Sequence, residues 1–581
     1  LYPWIDTLHR QGRCVKANAL EPETGAVLAF GSMTERSSKA LFVSLMAPED
    51  RKALPLGSAC AAAGLVSAGL LRKEEILILS PSTDSPGGEI LNSILKEKPR
   101  LVGFSLYSWN SIPALELARQ LRALRSDLLI VAGGPDAEAL AEQGAGEPFD
   151  AVFLGEAEFS FAEWYARRLG SDGLAGTIPG AAPAGGGSLI RSAPSLEGEL
   201  PSPWLLGILS PVRGGALPWE LGRGCPYRCS YCYEGRATGL VRHLSKARIE
   251  AELRLFLDAG VSEIFVLDPT FNVDGKRALD MLKLFSLQAS RIGWNFEIRA
   301  ELLNAAQAEA FTGLSCFVQI GLQSSSPDVL KLNGRSFDSR KFVSGLNLLN
   351  KKGVVFGLDL IYGLPGDRLA GFRKSVDFAL SFFPNHLDVF PLAVLPGTSL
   401  RRRAAELGLV YDDEPPYLLK HHPGFSGEDM GAAAKLAAAL SCFYSRGRAV
   451  PWFSALLGAL GLSPSAFLAS FLPPPGWETL GHIEIEALQC AHVEKVFKAR
   501  GKAVLLPAAL DLIRFNGAWS RALAEGAKTL LRLSYSLGDV EGPGILFLAA
   551  FAAQRPKSPC TVEILPGKDG PHARRIKGRG G

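Results

Sequence analysis

From Ala40 onward the chain alternates short, wholly apolar runs with longer stretches of helical periodicity. The first runs are LFVSLM (41–46), EILILS (75–80), LVGFSL (101–106), LLIVAGG (128–134) and AVFLGE (151–156), separated by segments such as 56–71 and 113–124. Continuous apolar strands separated by helices of about 10–15 residues predict a parallel sheet covered on both faces. Such sheets bind ligands beyond the carboxyl ends of their strands. Those ends carry Met46-Ala47-Pro48, Ser80-Pro81-Ser82, Ser105 to Asn110, Gly133-Gly134-Pro135 and Gly155-Glu156. Residues 1–39 show little periodicity and read as an extension in front of a 40–170 unit.

A stretch rich in Gly, Pro, Ala and Ser over 171–217 marks a crossover linker. A second alternating series follows: PWELGRG (218–224), EIFVLD (263–268), WNFEIRA (294–300), CFVQIGLQ (316–323), VFGLDLIYG (355–363) and LDVFPLAVL (387–395). Helical segments at 246–259, 275–290, 327–352 and 367–383 separate them. A complete eight-stranded barrel takes about 250 residues, so six repeats over 218–412 predict a partial (β/α)6 barrel. After Pro415 the chain turns helical and alanine-rich at 428–446, 477–500 and 505–525. The late runs LRLSYSL, ILFLAAF and TVEIL suggest a small antiparallel sheet within a 413–581 domain that shapes a substrate site. The expected class is therefore α/β: a Rossmann-like front domain, a partial barrel and a mainly helical end.

Composition narrows the function classes. Net charge is +4 with both signs interspersed, which leaves no electrostatic footprint for nucleic acid. The one basic cluster, 572–579, reads as a solvated, disordered tail. No run reaches the roughly 20 apolar residues of a membrane span, and no signal peptide is evident. The chain opens on Leu1 rather than Met, and the expectation is that the natural start lies upstream. Nine cysteines are too few and too irregular for a disulfide framework. A reducing cytoplasm and a monomer are expected.

Three of those cysteines, Cys225, Cys229 and Cys232, share one short loop in ELGRGCPYRCSYCYEG, after the first strand of the second series. A zinc site needs a fourth ligand, and the nearby His243 lies in a different spacing class. Unligated core cysteines fit poorly with a Gly-, Pro- and Arg-rich loop. A [4Fe–4S] cluster normally takes four cysteines, so three leave one iron open to a small molecule. Loops after barrel strands are also where such folds place their chemistry.

CPYRCSYC, with an aromatic before the last Cys, resembles the signature of radical S-adenosylmethionine (SAM) enzymes, and the six-repeat barrel agrees. The resemblance implies that SAM chelates the open iron and is cleaved to a 5′-deoxyadenosyl radical. It also implies that Tyr231 lies near the adenine and that Asp268-Pro269-Thr270 stands near the SAM amino group, where the family often has Gly-Gly-Glu. By the period-two rule Glu297, Arg299 and Glu301 share one strand face and become candidate contacts to the SAM ribose and carboxylate, with a salt-bridged structural cluster as the alternative reading. Gln323, the 363–366 turn and Pro396 in the 395–398 segment stand at the later strand ends. The glycines there read equally as ordinary turns.

The front sheet resembles the cobalamin-binding domain found ahead of one large class of radical SAM enzymes, through GFSLYSWN (103–110), IVAGGPDAEA (130–139) and FLGEAEFSF (153–161). The resemblance implies cobalamin contacts from Ser105, Tyr107, Trp109, Gly133, Gly134, Pro135, Gly155 and Glu156. The loop MAPEDRKALPLG (46–57) lacks the histidine that ligates cobalt in mutases and methyltransferases, so base-off cobalamin without a protein imidazole is expected, with Arg51 near that face. Together the two resemblances imply a cobalamin-dependent radical SAM methyltransferase that acts on a carbon of a small molecule and is reduced by a flavodoxin or ferredoxin. A cyclase or rearrangement enzyme, or non-radical methyl transfer, is the alternative. A methylthiotransferase would need three more cluster cysteines in its leading domain, and a non-catalytic sensor would not need the triad. The paired His421-His422 read as exposed.

Overall fold

The computed structural model describes residues 40–48, 53–142, 148–169, 178, 180–183, 199–234, 239–568 and 570–576. Arg51 and the 1–39 segment lie outside them.

The front sheet contains β1 (Ala40–Val43), β2 (Ile76–Leu79), β3 (Leu101–Ser105), β4 (Leu129–Gly133), β5 (Ala151–Phe153) and β6 (Ala181–Pro183), in the spatial order β2-β1-β3-β4-β5-β6. The first five are parallel, and β6 closes the edge antiparallel to β5. The linker reading of 171–217 thus missed one edge strand. Alternation sends Leu41, Val43, Val102 and Phe104 into one core and Ala40, Phe42, Leu101 and Val131 into a second on the opposite face. Both faces bury apolar surface, so only the strand ends are free to bind.

The second sheet follows as β7 (Ala216–Trp219), the two-residue hairpin strands β8 (Gly222–Arg223) and β9 (Arg242–His243), then β10 (Glu263–Val266), β11 (Gly293–Ile298), β12 (Ser315–Gln323), β13 (Val355–Tyr362) and β14 (His386–Pro391). The six long strands run parallel in the order β14-β13-β12-β11-β10-β7. Among the described residues β14 and β7 do not pair, so the barrel is open between them. Its outer face is aromatic. Phe285 stacks on Trp294 at 4.3 Å and Phe256 meets Trp219 at 5.3 Å. The segment read as one helix over 327–352 is two, Pro327–Leu332 and Ser339–Lys352, broken where Gly334 takes φ +69°.

Beyond a short hairpin of β15 (Val410–Tyr411) and β16 (Leu419–His421) come the helices Gly427–Leu440, Phe453–Leu460, His482–Ala499 and Leu506–Glu525. A π-turn at Ser441–Arg446 seals the start of β14: the Tyr444 hydroxyl donates to Pro384 O at 2.7 Å and the Leu387 N–H donates to Ser445 Oγ at 3.2 Å. The terminal sheet is β17 (Thr529–Leu533), β18 (Cys560–Leu565) and β19 (His572–Ile576).

Two expectations fail here. ILFLAAF is not a strand but a 3-10 turn and the helix Leu548–Gln554, because Pro543 opens a helical start. The basic tail is not free along its length. β19 pairs with β18, and Arg574 Nε donates to Glu563 Oε2 at 2.7 Å, so the cations meet a carboxylate. Among the described residues no helix is long and apolar enough to cross a membrane.

Candidate functional site

The three cysteines lie where β7 hands over to a loop at the open edge of the barrel. Gly224 takes φ +93°, and a Cβ there would come within 2.1 Å of Leu240 O, so only glycine lets the chain turn into Cys225. Later barrel loops pin the turn. The Ser230 N–H donates to Asn333 O at 2.9 Å, and Ser230 O accepts from the Leu400 N–H at 2.9 Å. Asn333 Nδ2 donates to Pro365 O at 3.0 Å. The 363–366 turn after β13, through Asn333, and Ser399 and Leu400, just past the 395–398 turn that holds Pro396, therefore brace the cysteine loop.

Cys225 and Cys229 are buried and Cys232 is half-buried. Burial, then repulsion from Cys229 and Glu234, pushes the Cys232 thiol up to about 12, and burial raises Cys225. Thiolates on this loop need a cationic partner to form. Among the described residues no three His, Cys, Asp or Glu side chains converge tightly enough for a single metal ion. A [4Fe–4S] cluster is held by Cys thiolates, the donor type this loop offers three times.

Around the loop, Arg299 is almost fully buried. It lies 3.9 Å over the Tyr227 ring, pairs with Glu301 at 2.8 Å and donates to Ser336 O. Arg299 and Glu301 do not share a strand face with Glu297 as expected, because β11 stops at Ile298 and Ala300–Leu302 is a 3-10 turn. Arg299 and Glu301 form the salt-bridged cluster, leaving Glu297 on the inner face beside Gln319 in the register. Asp268 turns inward, accepting the N–H groups of Leu221 (2.8 Å) and Gly222 (3.1 Å), so it braces the end of β7. Burial raises it to about 7. Tyr231 is half-buried, and desolvation and the neighbouring Cys229 thiol hold its hydroxyl well above the usual range. Gln323 takes φ +68° at a bulge after Gly321, a strained conformation for a side-chain-bearing residue at a strand end.

Residues not singled out from the sequence complete the lumen. Gln319 Nε2 donates to Asp359 and, at 3.3 Å, to Asp388, and His386 Nε2 lies 3.3 Å from Asp388. Burial and the Asp388 charge hold Asp359 well above the usual carboxylate range. Arg335 reaches the Cys229 side and donates to Gly321 O. Polar letters inside otherwise apolar strand runs were the available signal.

At the front sheet, Ser105 Oγ donates to Ser44 Oγ at 2.9 Å, and Ser44 meets Ser58 at 2.7 Å, which ties β3, β1 and the following helix into a polar seam. Gly134 takes φ +108°, and its Cβ would meet Leu106 O at 2.5 Å. Tyr107 stacks on Trp109 at 4.4 Å, and burial raises Tyr107 to about 12. These residues, with Gly133, Pro135, Gly155 and Glu156, line one cavity of about 2100 Å³. The cavity continues past Glu220, Arg223 and Tyr233 beside the cysteine loop to Asn295, Phe317 and His386 in the lower barrel. A drug-sized ligand occupies about 300–1,000 Å³, so this space suits a very large ligand or several at once. Glu156 is engaged across the domain boundary, pairing with Arg242 and Arg223. His422, expected to be exposed, is buried and accepts the Gly424 N–H at 3.0 Å through Nδ1.

Two family models match the chain. Residues 52–164 match the B12 binding domain and residues 219–379 the radical SAM superfamily. The chain is 25% identical over 364 residues to the cobalamin-dependent radical SAM methyltransferase TokK of Streptomyces tokunonensis. It is also 25% identical over 353 residues to the 2-(S-pantetheinyl)-carbapenam-3-carboxylate methyltransferase of Streptantibioticus cattleyicolor. Each match covers 56% of this chain and 51% of the relative, so the chain spans about half the length of these curated relatives. Among solved structures, OxsB, a cobalamin-dependent S-adenosylmethionine radical enzyme, superposes with a TM-score of 0.54 at 15% identity, over 90% of this chain and 84% of its own. TsrM, a radical S-adenosylmethionine methyltransferase from Kitasatospora setae, gives 0.51 at 16% identity, over 65% of this chain and 78% of its own. These superpositions establish a shared fold. The chain thus carries a B12-binding domain over 52–164 followed by a radical SAM domain over 219–379, with the three-cysteine loop on its barrel.

Proposed function

We propose that the protein is a cobalamin-dependent radical SAM methyltransferase acting on a carbon of a small molecule. The observation that carries the reading is the single cavity of about 2100 Å³ that joins the glycine and serine crevice of the front sheet to the cysteine loop. When bound, the cluster with SAM supplies one-electron bond cleavage, and cobalamin supplies a methyl carrier. The chain's own part is binding and orientation.

In this reading 40–170 holds cobalamin, 218–412 holds the cluster and SAM, and 413–581 shapes the substrate end. Cys225, Cys229 and Cys232 hold the cluster. Glu297, Gln323 and the adenine-side Tyr231 face SAM. Arg299 and Asp268 act indirectly, by fixing Tyr227 and the end of β7. Ser105, Gly133 and Gly134 admit the nucleotide tail of cobalamin. Ala53, Leu54, Pro55, Leu56 and Gly57 line the same cavity and would offer bound cobalamin no imidazole. The sequence has no histidine between His9 and His243, which supports a base-off state with no protein ligand. A flavodoxin- or ferredoxin-type donor supplies electrons.

Anaerobic purification with added hydroxocobalamin tests the reading. One cluster and one cobalamin per chain are expected, with equal amounts of S-adenosylhomocysteine and 5′-deoxyadenosine per methylated product. A product with no added methylene unit would replace methylation by ring contraction or another rearrangement. Methylation without 5′-deoxyadenosine would replace the radical route.

A further inference from the structure

Arg223 lies two residues before Cys225, on the small hairpin strand β8, yet its side chain leaves the barrel. Nη2 is 2.8 Å from Glu158 Oε1 and 2.8 Å from Glu220 Oε2, Nε donates to both Glu220 oxygens at 3.0 and 3.1 Å, and Nη1 lies 3.8 Å from Glu156 Oε2. Glu156 lies in the short loop after β5, next to the cavity-lining Gly155, and Glu158 opens the helix Glu158–Leu169 that follows. The Glu158 carboxylate is 3% exposed, and the Arg223 charge and hydrogen bond hold it below the usual carboxylate range against its burial. Arg242, the β9 partner of Arg223, pairs with Glu156. Two guanidiniums from the cysteine-loop hairpin thus grip carboxylates at the mouth of the front-sheet crevice.

The hairpin transmits that grip. A Cβ at Gly222 would lie 2.9 Å from Arg242 O, and the Gly224 position is closed by Leu240 O. Arg223 and Cys225 are therefore held on one tight turn. The planar fork matters as much as the charge, because it serves Glu220 and Glu158 at once, which an ammonium on a flexible stem does not reproduce.

We propose that Arg223 is a positioning residue that fixes the distance and orientation of the front-sheet crevice relative to the cysteine loop. Under the methyl-transfer reading above, on which this second role rests, it aims the methyl carrier and the radical source at one substrate atom. Its mechanical part is independent of any cofactor.

The test uses spin labels at Leu124→Cys in the front domain and Leu287→Cys on the barrel, positions that are 58% and 86% exposed. The pulsed-EPR distance distribution is measured in the full chain with Arg223, Arg223→Lys and Arg223→Gln. A single narrow distance is expected for Arg223, a distribution at least twice as wide for Arg223→Gln, and an intermediate width for Arg223→Lys. Adding Glu158→Gln to Arg223→Gln removes the stranded buried charge, and is expected to recover yield and thermal stability but not the narrow distance. An unchanged distribution in Arg223→Gln overturns the proposal, as does full recovery of the narrow distance in the double variant. In the loaded enzyme, 5′-deoxyadenosine formed per methylated product is expected to rise at least tenfold in Arg223→Gln while iron and cobalamin content hold. A narrow wild-type distance in a chain that binds neither cofactor would sink the proposed function and leave the mechanical role of Arg223 standing.

Discussion

The two parallel sheets of this chain are built from similar apolar runs but place chemistry differently. In the front sheet both faces are covered: Leu41 and Val43 pack to one side, Ala40 and Phe42 to the other. Nothing polar can sit mid-strand, so the polar seam and the tight glycine lie at strand ends, in Ser44, Ser105 and Gly134. In the barrel sheet only the outer face is covered, by Trp294, Phe296 and their neighbours. The inner face carries Gln319, Asp359 and Asp388, where a full barrel would be filled with branched apolar residues. A crevice at the strand ends and a polar lumen on the inner face are two solutions of the same strand–helix repeat.

The comparison breaks most directly at the cysteines. Replacing Cys225, Cys229 and Cys232 together by Ala is expected to abolish iron binding and 5′-deoxyadenosine formation while cobalamin binding survives, because the crevice uses none of these residues. Metal analysis and absorbance of the same sample check both halves. The converse change is Gly133→Leu. A Cβ there meets only ordinary contacts at 3.7 Å, so the backbone tolerates it, but the longer side chain enters the crevice. Cobalamin affinity is expected to fall at least about tenfold, roughly 1.4 kcal/mol, with iron content unchanged in an equilibrium titration.

Arg299→Ala sharpens the view that this residue braces the loop. Removing one partner of a buried pair costs about 3–5 kcal/mol, and the stranded Glu301 places this change at the upper end. Chemical denaturation of the cofactor-free chain measures it, and Arg299→Lys is expected to recover only part.

The smallest effects are two opposite pH slopes. Asp268, raised to about 7 from 3.8, contributes stability that is complete below pH 3.8 and lost as pH rises toward 7. His482 and His492, lowered from 6.5 to about 3 and about 4 by burial, contribute stability above pH 6.5 that is lost as pH falls toward 4 and 3. Asp268→Asn, which keeps an acceptor oxygen for Leu221 and Gly222, is expected to remove the fall between pH 3.8 and 7, so that thermal stability across that window follows the histidine slope and rises with pH more steeply than in the parent. A pH profile unchanged between 3.8 and 7 in that variant would contradict the assignment.

The strand–helix repeats were legible because covered parallel strands leave unbroken apolar runs, and the cysteine loop because its spacing has few uses. Strand limits were less legible: Arg299 and Glu301 sit beyond Ile298, where the chain leaves the sheet. The ILFLAAF run carries no periodicity that separates a short helix from a strand, and only Pro543 hinted at the outcome. The role of Glu156 was obscured for another reason. Its partners Arg223 and Arg242 are distant in sequence, so no local pattern announces the contact. The same holds for Asp359 and Asp388, which the register brings side by side.

The central claim is that one chain couples both cofactor sites, and a reaction without added substrate tests it. The anaerobically reconstituted, reduced protein is given SAM carrying a labelled methyl group, and the products are counted. The account predicts transfer of label to the cobalamin fraction with matching S-adenosylhomocysteine, alongside 5′-deoxyadenosine that disappears in the triple cysteine variant. Bound cobalamin that takes up no label, or 5′-deoxyadenosine that persists without the cysteines, would contradict it.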